Sequence, residues 1–185
     1  KLRELAADPR CVAVGETGLD AYWIRHEPET TAPLDIQEAA LRWHLDLAHE
    51  LDKPLMIHNR EADADLLHVL ADAPADLRVM LHCFSSPLAV AQQAVDRGYW
   101  LSFCGNVTFK RNAELREAAR LCPAGRILVE TDAPFMTPEP FRGARNEPAF
   151  VGYTARCVAE VRGVTPEELG VQVTRNARDL YRITD

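Results

Sequence analysis

Five short apolar runs alternate with stretches of helical periodicity, and that alternation limits the fold more than any other feature of the chain. The runs are Cys11-Val12-Ala13-Val14-Gly15, Pro54-Leu55-Met56-Ile57-His58, Arg78-Val79-Met80-Leu81-His82, Tyr99-Trp100-Leu101-Ser102-Phe103 and Arg126-Ile127-Leu128-Val129-Glu130. Each has the length and bounded apolar character of a buried strand. Between them, residues 35–51 place Leu41, Leu45 and Ala48 on one helical face, with Leu51 near its edge and Asp35 and Glu38 spaced as cap and capping partner. Residues 62–70 and 112–121 also read as helices. Ser86-Pro87 reads as N-cap and first helical position of another, and Thr165-Pro166-Glu167-Glu168 carries cap, proline and capping-box glutamate together. A Pro-, Gly- and Arg-rich loop fills 134–148. Strand–helix alternation implies parallel strands with crossover helices, so the fold class is α/β. An open doubly wound sheet would want a phosphate-binding GxGxxG or GxxxxGK[ST] turn, and neither occurs. A (β/α)8 barrel instead puts its working residues at the C-terminal ends of several strands.

That is where the chemistry-bearing residues fall. The first run leads into Glu16, the second ends at His58, the third at His82, and the fifth leads into Glu130-Thr131-Asp132. Imidazole nitrogen with carboxylate oxygen suits a divalent cation such as Zn, Mn, Fe, Ni or, less well, Mg. Four such coincidences at equivalent strand ends would need four separate structural explanations, so Glu16, His58, His82 and Asp132 are the candidate metal ligands. Side chains alternate along a strand. If His82 faces inward, Cys83 therefore faces the helices as a packing residue and is rejected as a ligand. By the same rule Glu130 and Asp132 share a face. Asp132, nearer the mouth, is the candidate ligand or general base. Glu130, one layer deeper, is expected to bond the metal shell or to pair with a core Arg or His. Arg60, Lys110, Arg111, Arg142 and Arg145 lie in loops beyond strand ends and read as a positive rim suited to phosphate. His26, His44, His49 and His68 carry no expected role. Trp23, Trp43 and Trp100 read as core or loop anchors rather than stacking platforms for bases.

Composition narrows the class. Of 185 residues, 47% are hydrophobic and 26% charged, which fits one globular domain over 1–185. A net charge of −7 argues against coating nucleic acid by bulk attraction, though a local basic rim is compatible with it. No apolar run can span a bilayer, and no membrane or obligate protein partner is expected. The five cysteines are odd in number and lack a CxxC pair, which fits reduced thiols in the cytoplasm better than a disulfide framework or zinc knuckle.

With these residues in view, the sequence resembles the TatD family of metal-dependent deoxyribonucleases. The matching segments are Gly15-Glu16-Thr17-Gly18-Leu19-Asp20, Ile57-His58-Asn59-Arg60-Glu61, His82-Cys83-Phe84-Ser85, Ser102-Phe103-Cys104-Gly105 with Thr108-Phe109-Lys110, Glu130-Thr131-Asp132-Ala133-Pro134, Arg142-Gly143 with Arg145-Asn146-Glu147-Pro148, and the closing Asn176-Ala177-Arg178-Asp179-Leu180-Tyr181. They fall in family order across nearly the whole chain. Ser86 stands where the family commonly has Gly, and Cys104 where it has Ser. The resemblance implies a TIM-type (β/α)8 barrel of the metal-dependent hydrolase kind. It also implies one or two divalent cations (Zn, Mg or Mn), and hydrolysis of DNA phosphodiesters, typically from a 3′ end. It makes Glu16 the bridge between two metals. His58 and His82 complete one site, and Asp132 serves the other and acts as base. Arg60, Lys110, Arg142 and Arg145 become the phosphate-binding set. The family also opens on a strand bearing His-x-His, and this chain has none. A full barrel takes about 250 residues. The expectation is therefore a barrel lacking about its first two β/α units, with Glu16 on the third strand and two strand edges left open. Such a chain alone is expected to be unstable, poorly active or self-associating.

Overall fold

The computed structural model describes residues 1–184. The elements are α1 (Leu2–Ala6), β1 (Val14–Asp20), α2 (Ala21–His26), α3 (Leu34–Glu50), β2 (Leu55–Arg60), α4 (Asp63–Ala71), β3 (Val79–Leu81), α5 (Leu88–Asp96), β4 (Trp100–Phe103), α6 (Ala113–Leu121), β5 (Ile127–Val129), α7 (Val151–Arg162) and α8 (Pro166–Tyr181). They fall into two compact units. The first is Lys1–His82 with the C-terminal residues from Leu180, and the second is Cys83–Asp179. No helix among the described residues is long and apolar enough to cross a membrane.

In the first unit β1, β2 and β3 pair in that order, all parallel. The apolar residues Val14, Leu19, Leu55, Ile57, Val79 and Leu81 are buried along them. Helix α3 buries the expected Leu41, Leu45 and Ala48, and Leu47 as well, because it packs on α4 in addition to β1. In the second unit β4 and β5 pair in parallel, with Leu101, Phe103, Ile127 and Leu128 buried. Helices α5, α6 and α7 contribute Val90, Ala91, Leu115, Ala118, Val158 and Ala159 to that core. Asn176 on α8 is buried and donates to the carbonyls of Ala124 and Ile127, both at 2.7 Å, which ties the helix to the start of β5.

Several expected boundaries shift for identifiable reasons. Residues 11–13 are not strand: Cys11 N–H closes a turn on Asp8 O, and pairing begins only at Val14, whose N–H reaches Pro54 O. β1 then runs on through Asp20, so Glu16 lies inside the strand and not past its end. β5 stops at Val129, leaving Glu130 and Asp132 in the following loop. The residue at the N-cap of α3 is Pro33, not Asp35, and that of α5 is Pro87, not Ser86; neither makes a side-chain cap. At α8 the capping box forms as read, with Thr165 N–H donating to Glu168 Oε2 (2.8 Å) and Glu168 N–H to Thr165 Oγ1 (3.1 Å).

Candidate metal centre

Backbone register in the first unit gathers three of the candidate ligands. Val14 pairs with Leu55 and Thr17 with Ile57, so three steps on β1 oppose two on β2. The extra residue makes a bulge at Gly15-Glu16, and a bulge re-aims the side chain it carries. Normal register resumes with Gly18 opposite His58. Only glycine fits there: its φ is +148°, and a Cβ would lie 1.9 Å from His58 O. His82 follows β3 directly, its N–H bonded to Ile57 O at 2.9 Å.

The result is a convergence of Glu16, His58 and His82. Glu16 Oε1 lies 3.3 Å from His58 Nδ1 and 3.2 Å from His82 Nε2. All three residues offer a donor atom within 4.8 Å of the others. Tetrahedral coordination at N/O bond lengths near 2 Å separates neighbouring donors by about 3.3 Å. Two neutral imidazoles and one carboxylate therefore fit a divalent cation both in chemistry and in spacing. The side chains grade from half-exposed Glu16 (48%) through His58 (33%) to His82 (11%), so a cation here would be reached from the Glu16 side.

One further contact was not anticipated. Asp20 Oδ2 lies 2.9 Å from His58 Nε2, and Asp20 Oδ1 accepts from Trp23 N–H at 2.8 Å as the cap of α2. Gln37, on α3, accepts from Asp20 N–H at 2.7 Å and donates to Ala32 O at 2.8 Å. The sequence did offer a signal for Asp20, since Asp directly before a helix is a favoured N-cap, but nothing in it pointed to the bond with His58. Arg60 ends β2 and lays its guanidinium 3.6 Å from the centroid of the Tyr22 ring and 5.6 Å from that of Trp23. Trp23 and Trp43 are each 41% exposed and are not core residues; Trp100 is buried.

The second unit holds Glu130 and Asp132 by other means. Cys83 N–H donates to Glu130 Oε1 at 3.0 Å, and the Ser102 hydroxyl donates to Glu130 Oε2. Glu130 thus accepts from a backbone amide and from a serine hydroxyl. Because β5 has ended, the shared-face argument for Glu130 and Asp132 does not apply. Asp132 takes a left-handed conformation (φ 55°), as does Cys83 (φ 44°), a region costly for residues with a Cβ and concentrated at functional sites. Asn146 braces the loop that carries Asp132. It is 3% exposed, donates to Thr131 O (2.7 Å) and Phe135 O (2.6 Å), and accepts from Glu147 N–H (2.9 Å). Nothing in the sequence singled it out beyond its place in a resembling segment. Gly105 completes the support, because a Cβ there would lie 1.8 Å from Met136 O.

Cys83 lies beyond β3, so strand alternation does not decide where it points. Its Sγ lies 2.8 Å from that of Cys104, and both thiols are free. The Cys104 thiol, then burial, then the negative groups Asp132 and Glu130 push the Cys83 thiol far above its ordinary range. In the metal-free protein that keeps Cys83 in its neutral thiol form. Of the basic residues in this unit, Lys110, Arg111, Arg142 and Arg145 are exposed, and Arg142 stacks 3.9 Å from the centroid of Phe109.

Comparison with known proteins finds relatives along nearly the whole chain. The sequence profile of a family described as TatD related DNase covers residues 1–182. The chain is 50% identical over 181 residues to an uncharacterized metal-dependent hydrolase, TatD, of Mycobacterium tuberculosis, covering 98% of this chain and 68% of that one. It is 38% identical over 188 residues to a protein of Erwinia billingiae named 3′-5′ ssDNA/RNA exonuclease TatD, covering 98% and 70%. Among solved structures, the TatD homologue YjjV of Escherichia coli superimposes with a TM-score of 0.85 at 29% identity, over 99% of this chain and 69% of that one. The fold is that of the TIM-barrel hydrolases, and the described residues carry five strands of it.

Proposed function

The chain belongs to the TatD related DNase family of metal-dependent hydrolases, and from that premise we propose that it hydrolyses phosphodiester bonds of DNA, trimming single strands from the 3′ end. The observation that carries this reading is the convergence of Glu16, His58 and His82 on one small volume. The name of the Erwinia billingiae relative supports the choice of substrate, and the loop arginines and lysine support a phosphate-bearing one.

In this reading Glu16, His58 and His82 hold a divalent cation, and Asp132 serves a second. When bound, the metal supplies Lewis acidity toward a phosphoryl oxygen and lowers the pKa of a coordinated water. Asp132 accepts the proton of the attacking water as general base. Glu130, held by Cys83 N–H and Ser102, stiffens the start of the loop that bears Asp132. Arg60, Lys110, Arg142 and Arg145 bind phosphates, which orients the strand without reading its sequence.

The test is digestion of a 5′-labelled single-stranded DNA oligonucleotide with Mg²⁺ or Mn²⁺, beside a chelator control and a panel of small esters and amides. Ladder-like shortening that requires the cation is the expected result. Turnover of an ester or amide with the DNA left intact would assign the same centre to a different substrate. Inactivity of folded, metal-loaded protein toward all of them would remove the reading for this chain.

A further inference from the structure

A neutral imidazole has one nitrogen that donates and one that accepts, and only the one with the free lone pair can bind a cation. At His58, Nε2 faces the Asp20 carboxylate at 2.9 Å. An ionised carboxylate only accepts, and Asp20 is the nearer of the two carboxylates that flank the ring, at 2.9 Å against 3.3 Å for Glu16. In the neutral ring Nε2 therefore carries the proton and the lone pair falls on Nδ1. Nδ1 is the nitrogen that faces Glu16, at 3.3 Å. His82 presents the opposite atom, Nε2, at 3.2 Å from the same oxygen. We infer that Asp20 is the positioning residue of the metal centre: it fixes the tautomer and ring orientation of His58, so that this histidine binds through Nδ1 while His82 binds through Nε2. The inference rests on the metal-centre reading above and extends it to a residue outside the ligand set.

The placement of Asp20 fits the task. Its side chain is 14% exposed. One carboxylate oxygen caps α2 through Trp23 N–H, and the other takes the His58 proton. Its own N–H is held by Gln37, which is anchored in turn on Ala32 O. In the strand pairing Asp20 stands opposite Arg60, two steps beyond the Gly18–His58 pair, so the register that brings in Glu16 also brings in Asp20. A plain N-cap would need only one oxygen. The second oxygen, spent on a ligand's outer nitrogen, is the arrangement by which carboxylates orient metal-binding histidines.

Asp20→Asn separates the two duties. Asn caps a helix about as well as Asp, but with its oxygen on Trp23 N–H its amide turns a donor toward His58 Nε2. That reverses the preferred tautomer and puts the proton on Nδ1. Zn²⁺ or Mn²⁺ affinity is read by calorimetry, and the protonated ring nitrogen by ¹⁵N-imidazole NMR of the metal-free protein at alkaline pH. The wild type should show His58 protonated on Nε2. The variant should melt near the wild-type temperature, lose that signature, and bind metal about 10- to 100-fold more weakly. Asp20→Ser, which keeps a cap but cannot reach His58, should lose the same affinity. A folded Asp20→Asn protein with wild-type affinity, or a wild-type His58 protonated on Nδ1, would overturn the inference. Should the wild type bind no metal while keeping the Nε2 proton, the metal-centre reading falls, and Asp20 reduces to a cap. The NMR result, which needs no metal, tells these failures apart if a variant does not fold.

Discussion

Two parts of this molecule hold carboxylates in place by opposite means. In the first unit Glu16 and Asp20 ride on a strand, and a bulge, a glycine and a fixed register set their directions. In the second, Glu130 and Asp132 stand in a loop, and direction comes from individual hydrogen bonds: Cys83 N–H and Ser102 on Glu130, and Asn146 on the backbone around Asp132. A strand-built site depends on backbone shape and tolerates removal of a single side chain. A loop-built site depends on its braces, so removing one brace costs stability and geometry together.

The largest expected effect tests the tolerance of the strand-built half. Glu16→Ala should lower turnover by more than about 100-fold, the upper end of what loss of a mere outer partner costs. Because Glu16 is half-exposed, stability should stay within about 0.5 kcal/mol of wild type. Activity assays and urea denaturation on one preparation measure both. Unfolding of Glu16→Ala would break the comparison. Next comes the backbone itself. Gly18→Ala forces a Cβ against His58 O in a left-handed conformation, which should cost about 3 kcal/mol, the top of the usual range for overpacking. Metal affinity should fall with it, since His58 is the residue displaced.

What could be read in the sequence follows the same division. Glu16, His58 and His82 stood out because each adjoins an apolar run, and a strand's direction follows from that pattern. Even so, the apolar run points to a strand that ends at Gly15 with Glu16 beyond it, whereas β1 continues to Asp20 and a bulge turns Glu16 toward the histidines. Bulges add one residue without altering composition, so periodicity does not reveal them. The α/β class and the capping box at Thr165 were legible because both are local patterns. The bond from Asp20 to His58 and the bracing by Asn146 were not. Each joins residues whose meeting depends on tertiary geometry, 38 and 15 positions apart respectively. The caps expected at Asp35 and Ser86 show the same limit, because a proline takes the cap position two residues before Asp35 and one residue after Ser86.

Asn146→Ala sharpens the contrast from the loop side. It strips the bracing donors from Thr131 O and Phe135 O and the acceptor from Glu147 N–H, in a side chain that is 3% exposed. Leaving buried polar groups without a partner costs about 1–3 kcal/mol each, partly recovered where water enters, so a loss near 2 kcal/mol is expected. Turnover should fall in the same variant because Asp132 loses its fixed backbone. A stable Asn146→Ala protein with full activity would show that the loop holds its shape without the brace.

The smallest effect belongs to a control remote in sequence from the proposed ligands. Thr165→Ala removes the hydroxyl that accepts from Glu168 N–H and should cost about 1 kcal/mol by thermal melting, with turnover unchanged. The pH dependence has a definite sign. The Thr165 N–H, and after it the Thr165 hydroxyl, hold the Glu168 carboxyl below its ordinary value of 4.5. A carboxyl lowered in the folded state supports the fold fully above the ordinary value and gives up that support as pH falls through the lowered one. The gap in melting temperature between wild type and a Glu168→Gln variant should therefore be constant from neutral pH down to about 5 and shrink below it. If Thr165→Ala instead lowered turnover, α8 would be coupled to the chemistry, and bracing of the loop-built half would have to extend beyond the hydrogen bonds around Glu130 and Asn146.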